Sequence, residues 1–198
     1  MPVTRIPIMK KTVLAATLGS ILLSPLAQAN EYVIDTEGAH AFIQFKINHM
    51  GFSWLLGRFD DFEGTFSYDA NDPATAAVNV VIDTASINSN HGERDQHLRS
   101  DDFLDVENYP QATFVSTDFQ PDGEGGGLLR GDFTLRGVSR EIEFNINQVG
   151  AGDDPWGVTR RGFEGSYTFK LADYGIDYDL GPASEEVEIY LSIEGVQQ

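Results

Sequence analysis

The chain of 198 residues carries 31 acidic against 13 basic side chains, a net charge of −18, and contains no cysteine. The cysteine count excludes disulfides, thiolate nucleophiles and Cys-based zinc sites. The charge disfavours nucleic acid and anionic membrane surfaces, both of which attract cations. Arg5, Lys10 and Lys11 form a basic n-region, Thr12 to Leu23 an apolar h-region, and Ala27-Gln28-Ala29 a small-residue cleavage site. This is the pattern of a signal peptide removed after Ala29, and its apolar run is too short to span a bilayer. The expectation is a signal peptide over residues 1–29, no stable membrane insertion, and one exported domain over residues 30–198. The leader holds three basic and no acidic residues, so its removal takes the net charge to −21.

From Glu31 onward the dominant pattern is two-residue alternation, as strands with one wet face require. Glu31 to Asp35 is a short first strand. Ala41, Ile43, Phe45 and Ile47 then alternate with Phe42, Gln44, Lys46 and Asn48, and Phe62, Gly64, Phe66 and Tyr68 with Asp61, Glu63, Thr65 and Ser67. Between them Met50-Gly51-Phe52-Ser53-Trp54-Leu55-Leu56 reads as an unusually apolar loop, where connections are ordinarily polar. It fits a plug over the domain's own core, or a lip at the mouth of a cavity for a hydrophobic ligand. Pro73 marks a turn, and Val78, Val80 and Ile82 a further strand. The β pattern resumes from Ala112 to Phe119. It continues through Leu129, Gly131, Phe133 and Leu135; Val138, Ile142, Phe144 and Ile146; Phe163, Gly165, Tyr167, Phe169 and Leu171; and Val187, Ile189, Leu191 and Ile193. Gly150 to Gly157 and Asp173 to Ser184 read as irregular loops. Eight or nine antiparallel strands fit a closed barrel or a two-sheet sandwich. Glycine at the inward positions 64, 131 and 165 favours the barrel, leaving room for a guest or for strongly bent strands.

Alternation stops between Ser86 and Asp105. Asn90 with Glu93 resembles a capping box, predicting a short helix over His91 to Arg99 that lies across one end of the barrel as a lid. Leu98, Phe103 and Leu104 supply its apolar anchors. His91 with Asp95, and Glu93 with His97, fall at i,i+4 spacing, so each pair is a candidate for sharing a metal or a proton. The blander alternative is a helix held by ion pairs. No G-x-S-x-G, H-E-x-x-H, Walker or dinucleotide motif occurs. The pairs Asp60-Asp61, Asp101-Asp102 and Asp153-Asp154 read as solvated charge, not as acid/base dyads.

Tyr32-Val33-Ile34-Asp35, the segment AFIQFKINHMGFSWLLGRF, the stretch from Asn90 to Ser100, Pro110-Gln111-Ala112-Thr113-Phe114, Gly152 to Gly157 and Gly181-Pro182-Ala183-Ser184 together resemble the YceI family of periplasmic polyisoprenoid-binding proteins. The resemblance covers essentially the whole mature chain. It implies an all-β fold, an eight-stranded antiparallel lipocalin-like barrel with one or two short helices. It also implies a periplasmic location in a Gram-negative bacterium and binding of a long-chain isoprenoid lipid, an isoprenoid quinone or its precursor, for transport or storage. It brings no cofactor, no metal and no catalytic residues. On this reading Ile43, Phe45, Ile47, Phe66, Val80, Phe114, Phe133, Phe144, Tyr167 and Leu191 line the cavity, with Phe52 and Trp54 at its mouth. Arg58, Arg94 and His97 are the head-group candidates. Two alternatives stand beside it: a hydrolase or isomerase acting on an apolar prenyl substrate through His91 to His97, and a module whose Met50 to Leu56 loop docks a partner, for example its own copy in a homodimer.

Overall fold

A computed structural model describes residue 1 and residues 29–198; the signal-peptide and cleavage expectations fall on residues outside that span. Eleven strands form one sheet: β1 (Asn30–Ile34), β2 (Phe42–His49), β3 (Ser53–Phe59), β4 (Phe62–Tyr68), β5 (Ala77–Asp83), β6 (Ile87–Asn88), β7 (Gln111–Pro121), β8 (Gly127–Leu135), β9 (Val138–Asp153), β10 (Thr159–Lys170) and β11 (Glu186–Gln197). The one α-helix among the described residues, α1, spans Gly92–Arg99. Strands β1, β4, β5, β7, β8, β9, β10 and β11 pair in that order, and β1 pairs back onto β11, closing an antiparallel ring of eight. Strand closure removes the exposed edges that an open sheet would present.

The remaining three strands extend staves of that ring. Strand β11 pairs with β1 through Gly195 to Gln197 and with β2 through Val187 to Ser192. The chain from Asn30 to His49 is therefore one stave interrupted by the turn at Asp35 to His40. In the same way β3 continues into β4, and β5 into β6, which pairs with β3 at Arg58 and Phe59. Each half keeps the alternation of its own sequence, which places Ile43, Phe45 and Ile47 inward with Phe66, Tyr68 and Val80.

Two expected loops are strands. Only Met50 to Phe52 turn the chain between β2 and β3; Ser53 to Leu56 lie in β3, paired with Ile47 through His49 and Lys46. Long apolar side chains there satisfy the barrel's inner face at Leu55 and leave Trp54 and Leu56 outside. Strand β9 also runs on through Gly150, Ala151 and Gly152, paired with β10 across a bulge at Gly162/Phe163. Its loop shrinks to a turn in which the Asp154 carboxylate accepts from the amides of Trp156 and Val158, each at 2.9 Å. Such Asx geometry makes a turn of residues that pattern alone reads as irregular.

The inward glycines do not reserve space for a guest. A Cβ on Gly131 would lie 2.6 Å from Cζ of Phe114, and one on Gly64 2.8 Å from Cδ1 of Ile34. The rings and methyls of neighbouring strands cover these backbones, so glycine here allows close approach.

Candidate ligand-binding cavity

Inward faces from all staves of the ring enclose a cavity of about 710 Å³, within the range of roughly 300–1,000 Å³ typical of ligand pockets. The barrel is therefore hollow although much of its interior is packed. Ten of the residues expected to line it do so: Ile43, Phe45, Ile47, Phe66, Val80, Phe114, Phe133, Phe144, Tyr167 and Leu191. Phe114 meets Phe144 edge-on at 5.7 Å, and Tyr32 stacks on Phe66 at 4.8 Å. The wall is thus an aromatic mosaic with few polar atoms.

Phe52 and Trp54 are corrected as ligand-lining residues: neither reaches the cavity wall. Phe52 is 84% exposed at the hairpin tip and Trp54 59% exposed on the outer face, because β3 alternates and Trp54 stands opposite outward Asn48. Lys46 lies over the Trp54 ring. From this hairpin it is Met50 and Leu55 that reach the cavity. Sequence reasoning missed Leu55 because it took the segment as a loop and gave it no phase. It also missed Tyr178 and Leu180, which close the mouth from an acidic, glycine-rich connection with no period to reveal them.

Three connections meet at that mouth: the β2–β3 turn, the segment from Ser89 to Pro110 that carries α1, and the segment from Leu171 to Glu185. The Ser184 hydroxyl donates to the Asn48 carbonyl at 2.7 Å, and the His97 ring stands edge-on to Phe103 and Tyr178 at 4.9 and 5.1 Å. The helix does act as a cover, with Arg94, His97 and Leu98 facing the cavity. Its N-cap is His91 and not Asn90: His91 Nδ1 accepts from the Arg94 amide at 3.2 Å, while Asn90 takes a left-handed φ of 62°. The cap is displaced by one residue because Asn90 is used to turn the chain, and the reciprocal bond from Glu93 that a capping box requires is not made.

The head-group candidates divide. Arg58 points outward and bonds Asp60 at 2.5 Å, so it is corrected: β3 puts it on the same face as Trp54. Arg94 faces the cavity, but its Nε donates to the Ser89 hydroxyl at 2.7 Å and Nη2 to the Ser89 carbonyl at 2.6 Å. Asp95 is buried beneath and accepts from the Ser89 amide at 2.8 Å and from its hydroxyl. Burial pushes the Asp95 carboxyl up, but the Ser89 hydrogen bonds and the charges of Arg99 and Arg94 outweigh it and leave it below the ordinary value. His97 Nε2 lies 2.8 Å from Asp102 Oδ2. The i,i+4 pairs His91/Asp95 and Glu93/His97 are therefore not made; each of His91, Asp95 and His97 has turned to another partner, and the cluster is divided among a cap, a buried support and a surface pair.

One group of residues among those described has metal-ligand geometry, Asp35, His40 and Glu194, at the opposite end of the barrel. Arg160 occupies it, with Nη1 2.6 Å from both Asp35 Oδ2 and Glu194 Oε1, and a guanidinium already supplies the cation these carboxylates attract. Hydrogen bonds from His40 and then Arg160 bring Asp35 down to about 2. No helix among the described residues is long and apolar enough to cross a membrane.

Comparison with known proteins converges on one group. The sequence model of the YceI-like domain matches residues 32–195. A UPF0312 protein of Shewanella sp. (strain MR-7) is 52% identical over 191 residues, covering 96% of this chain and 100% of that one. Among solved structures, Burkholderia cenocepacia BcnA superposes with a TM-score of 0.72 at 21% identity, over 81% of this chain and 98% of that one. A polyisoprenoid binding domain from Saccharophagus degradans superposes with a TM-score of 0.62 at 18% identity, over 84% and 98%. At these identities the two structures speak for the fold.

Proposed function

The chain belongs to the YceI family, and from that premise we propose that it is a binding protein that holds a long-chain isoprenoid lipid, a quinone or its precursor, inside the barrel. The observation that carries this reading is the enclosed cavity of about 710 Å³ walled by Ile, Val, Leu and Phe side chains. Each buried CH₂ of such a chain contributes about 0.8 kcal/mol, so an apolar tail gains more here than any small polar solute. The likeness to a polyisoprenoid binding domain supports the ligand class. The division of His91, Asp95 and His97 among separate partners supports a carrier over a catalyst, since acid/base work needs groups that share one reacting atom. The signal-peptide pattern expected over residues 1–29 is what supports a periplasmic location, and transport or storage there is part of the same proposal.

The test is organic extraction of protein purified from its native host, followed by mass spectrometry. One prenyl lipid per chain is expected. A clean extract, together with failure to take up added long-chain quinone, would overturn the proposal.

A further inference from the structure

The ring of eight strands is not sealed along its whole height. Strands β9 and β10 pair from Asp153↔Thr159 to Ile146↔Gly165 and no further. Beyond that point β9 stays paired with β8 down to Val138↔Leu135, and β10 stays paired with β11 up to Lys170↔Glu186. Val138 to Asn145 and Ser166 to Lys170 thus flank a seam without a ladder. A polar groove lies on its outer side, and Phe144, Glu164, Gly165 and Tyr167 line both that groove and the central cavity; Glu164 accepts from the Tyr190 hydroxyl at 2.9 Å.

Tyr174 reaches into this seam from the 3-10 turn Leu171–Tyr174. Its ring is fully buried, 5.3 Å from Phe133 and 5.0 Å from Phe169. Its hydroxyl is buried without a hydrogen-bond partner of good geometry among the described residues, an arrangement that native interiors rarely leave unexplained. The nearest phenol is Tyr167, which faces the cavity. Burial first, joined by the charge of Asp173 at Tyr167 and by the neighbouring Tyr167 at Tyr174, raises both phenols above their ordinary range although Tyr174 draws Tyr167 slightly down, so both remain neutral O–H donors. The adjacent Arg140 donates to the Asp173 carbonyl at 2.7 Å and lies 3.9 Å from its carboxylate. Its charge is thereby balanced, and the site favours an uncharged guest.

We propose that Tyr167, backed by Tyr174, is a hydrogen-bonding anchor for a neutral acceptor oxygen on the lipid's head, a quinone carbonyl being the chemistry that fits, and that this head rests at the β9–β10 seam and not at Arg94 and His97. The inference rests on the carrier reading above. Even if one phenol donates to the other, one O–H of the pair is left without an acceptor beside the cavity that Tyr167 lines, and a hydrocarbon tail has none to offer.

The experiment compares wild type, Tyr167→Phe and Tyr174→Phe for uptake of a long-chain benzoquinone, of squalene as a prenyl hydrocarbon without oxygen, and of a polyprenyl phosphate. Tyr167→Phe should weaken quinone binding about fivefold, the worth of one hydrogen bond, and leave squalene within a factor of about two; Tyr174→Phe should act in the same direction and less. The carbonyl stretch of bound quinone should lie at lower frequency in wild type than in Tyr167→Phe. An unchanged stretch, an equal loss for quinone and squalene, or tight phosphate binding abolished by Arg94→Ala would overturn the anchor and leave the carrier standing. Failure of wild type to bind any of the three would overturn both.

Discussion

The size of the cavity makes the dependence of affinity on chain length a quantitative test. If a methylene-sized group fills about 30 Å³, the share that a water molecule takes in the liquid, then 710 Å³ accommodates about 24 carbons, roughly five isoprene units. Each five-carbon unit gains about 4 kcal/mol gross at 0.8 kcal/mol per buried carbon. Ordering its rotatable bonds offsets about 2 kcal/mol of that. The net of about 2 kcal/mol is an affinity rise of roughly 30-fold per unit. The perturbation is a series of polyprenyl alcohols from two to ten units, and the assay is displacement of a radiolabelled prenyl alcohol at fixed protein concentration. Affinity should climb steeply through about five units and then flatten as further units project through the mouth past Met50, His97 and Tyr178. A curve flat from the start would mean that the tail is not what the barrel holds. One that climbs without a break to ten units would mean that the interior expands well beyond its observed volume.

Other consequences follow from single contacts. Gly131→Ala would place a Cβ 2.6 Å from the Phe114 ring and 2.5 Å from the Val115 carbonyl; forcing the ring aside should cost about 1–3 kcal/mol, seen as a lower urea midpoint with an unchanged slope. Asp95→Ala strips the Ser89 amide of its acceptor in a buried site, with an expected loss of about 1–3 kcal/mol by the same measurement, whereas Asp60→Ala on the surface should change stability little. Asp35 titrates lower in the folded protein, about 2, than unfolded, so its contribution is present above its unfolded value and is lost as pH falls through about 2; Asp35→Asn should lower stability at neutral pH and flatten the acid limb, the two proteins converging as pH falls through about 2. Tryptophan emission should be red-shifted and insensitive to ligand, because Trp54 and Trp156 are 59% and 83% exposed on the outside; a large blue shift on uptake would show the β2–β3 hairpin folding inward.

The inward faces were legible because a strand's period of two is a local property. Ile43, Phe45 and Ile47 report their side without reference to any other strand, and the same holds at Phe66, Phe114, Phe133 and Leu191. The number of such strands left barrel and sandwich both open, and glycines 64 and 131 pointed to the barrel for a reason that survives in altered form: they admit neighbouring side chains instead of a guest. The opening hairpin was not legible. Its greasy run from Met50 to Leu56 contains no polar partner at alternate positions, since Trp54 and Leu56 stand outside where polar residues are expected, and so the phase that would have marked a strand is absent. The cluster on α1 failed for a related reason. Helical spacing fixes which Cβ atoms are neighbours, but Asp95 and His97 were drawn to Ser89 and Asp102, residues outside the helix whose positions depend on how the connection folds over the barrel. The seam between β9 and β10 lies further still from the sequence. Val138 to Ile146 and Phe163 to Leu171 alternate as cleanly as any pair in the chain, and nothing in either states that their ladder stops at Gly165. Beyond that point Tyr174, fully buried, stands beside Phe133 and Phe169. A connection that looked featureless thereby brings Tyr174 beside Tyr167 of β10 at a gap in the ladder, and such a gap is where the proposed guest's polar end would meet a donor.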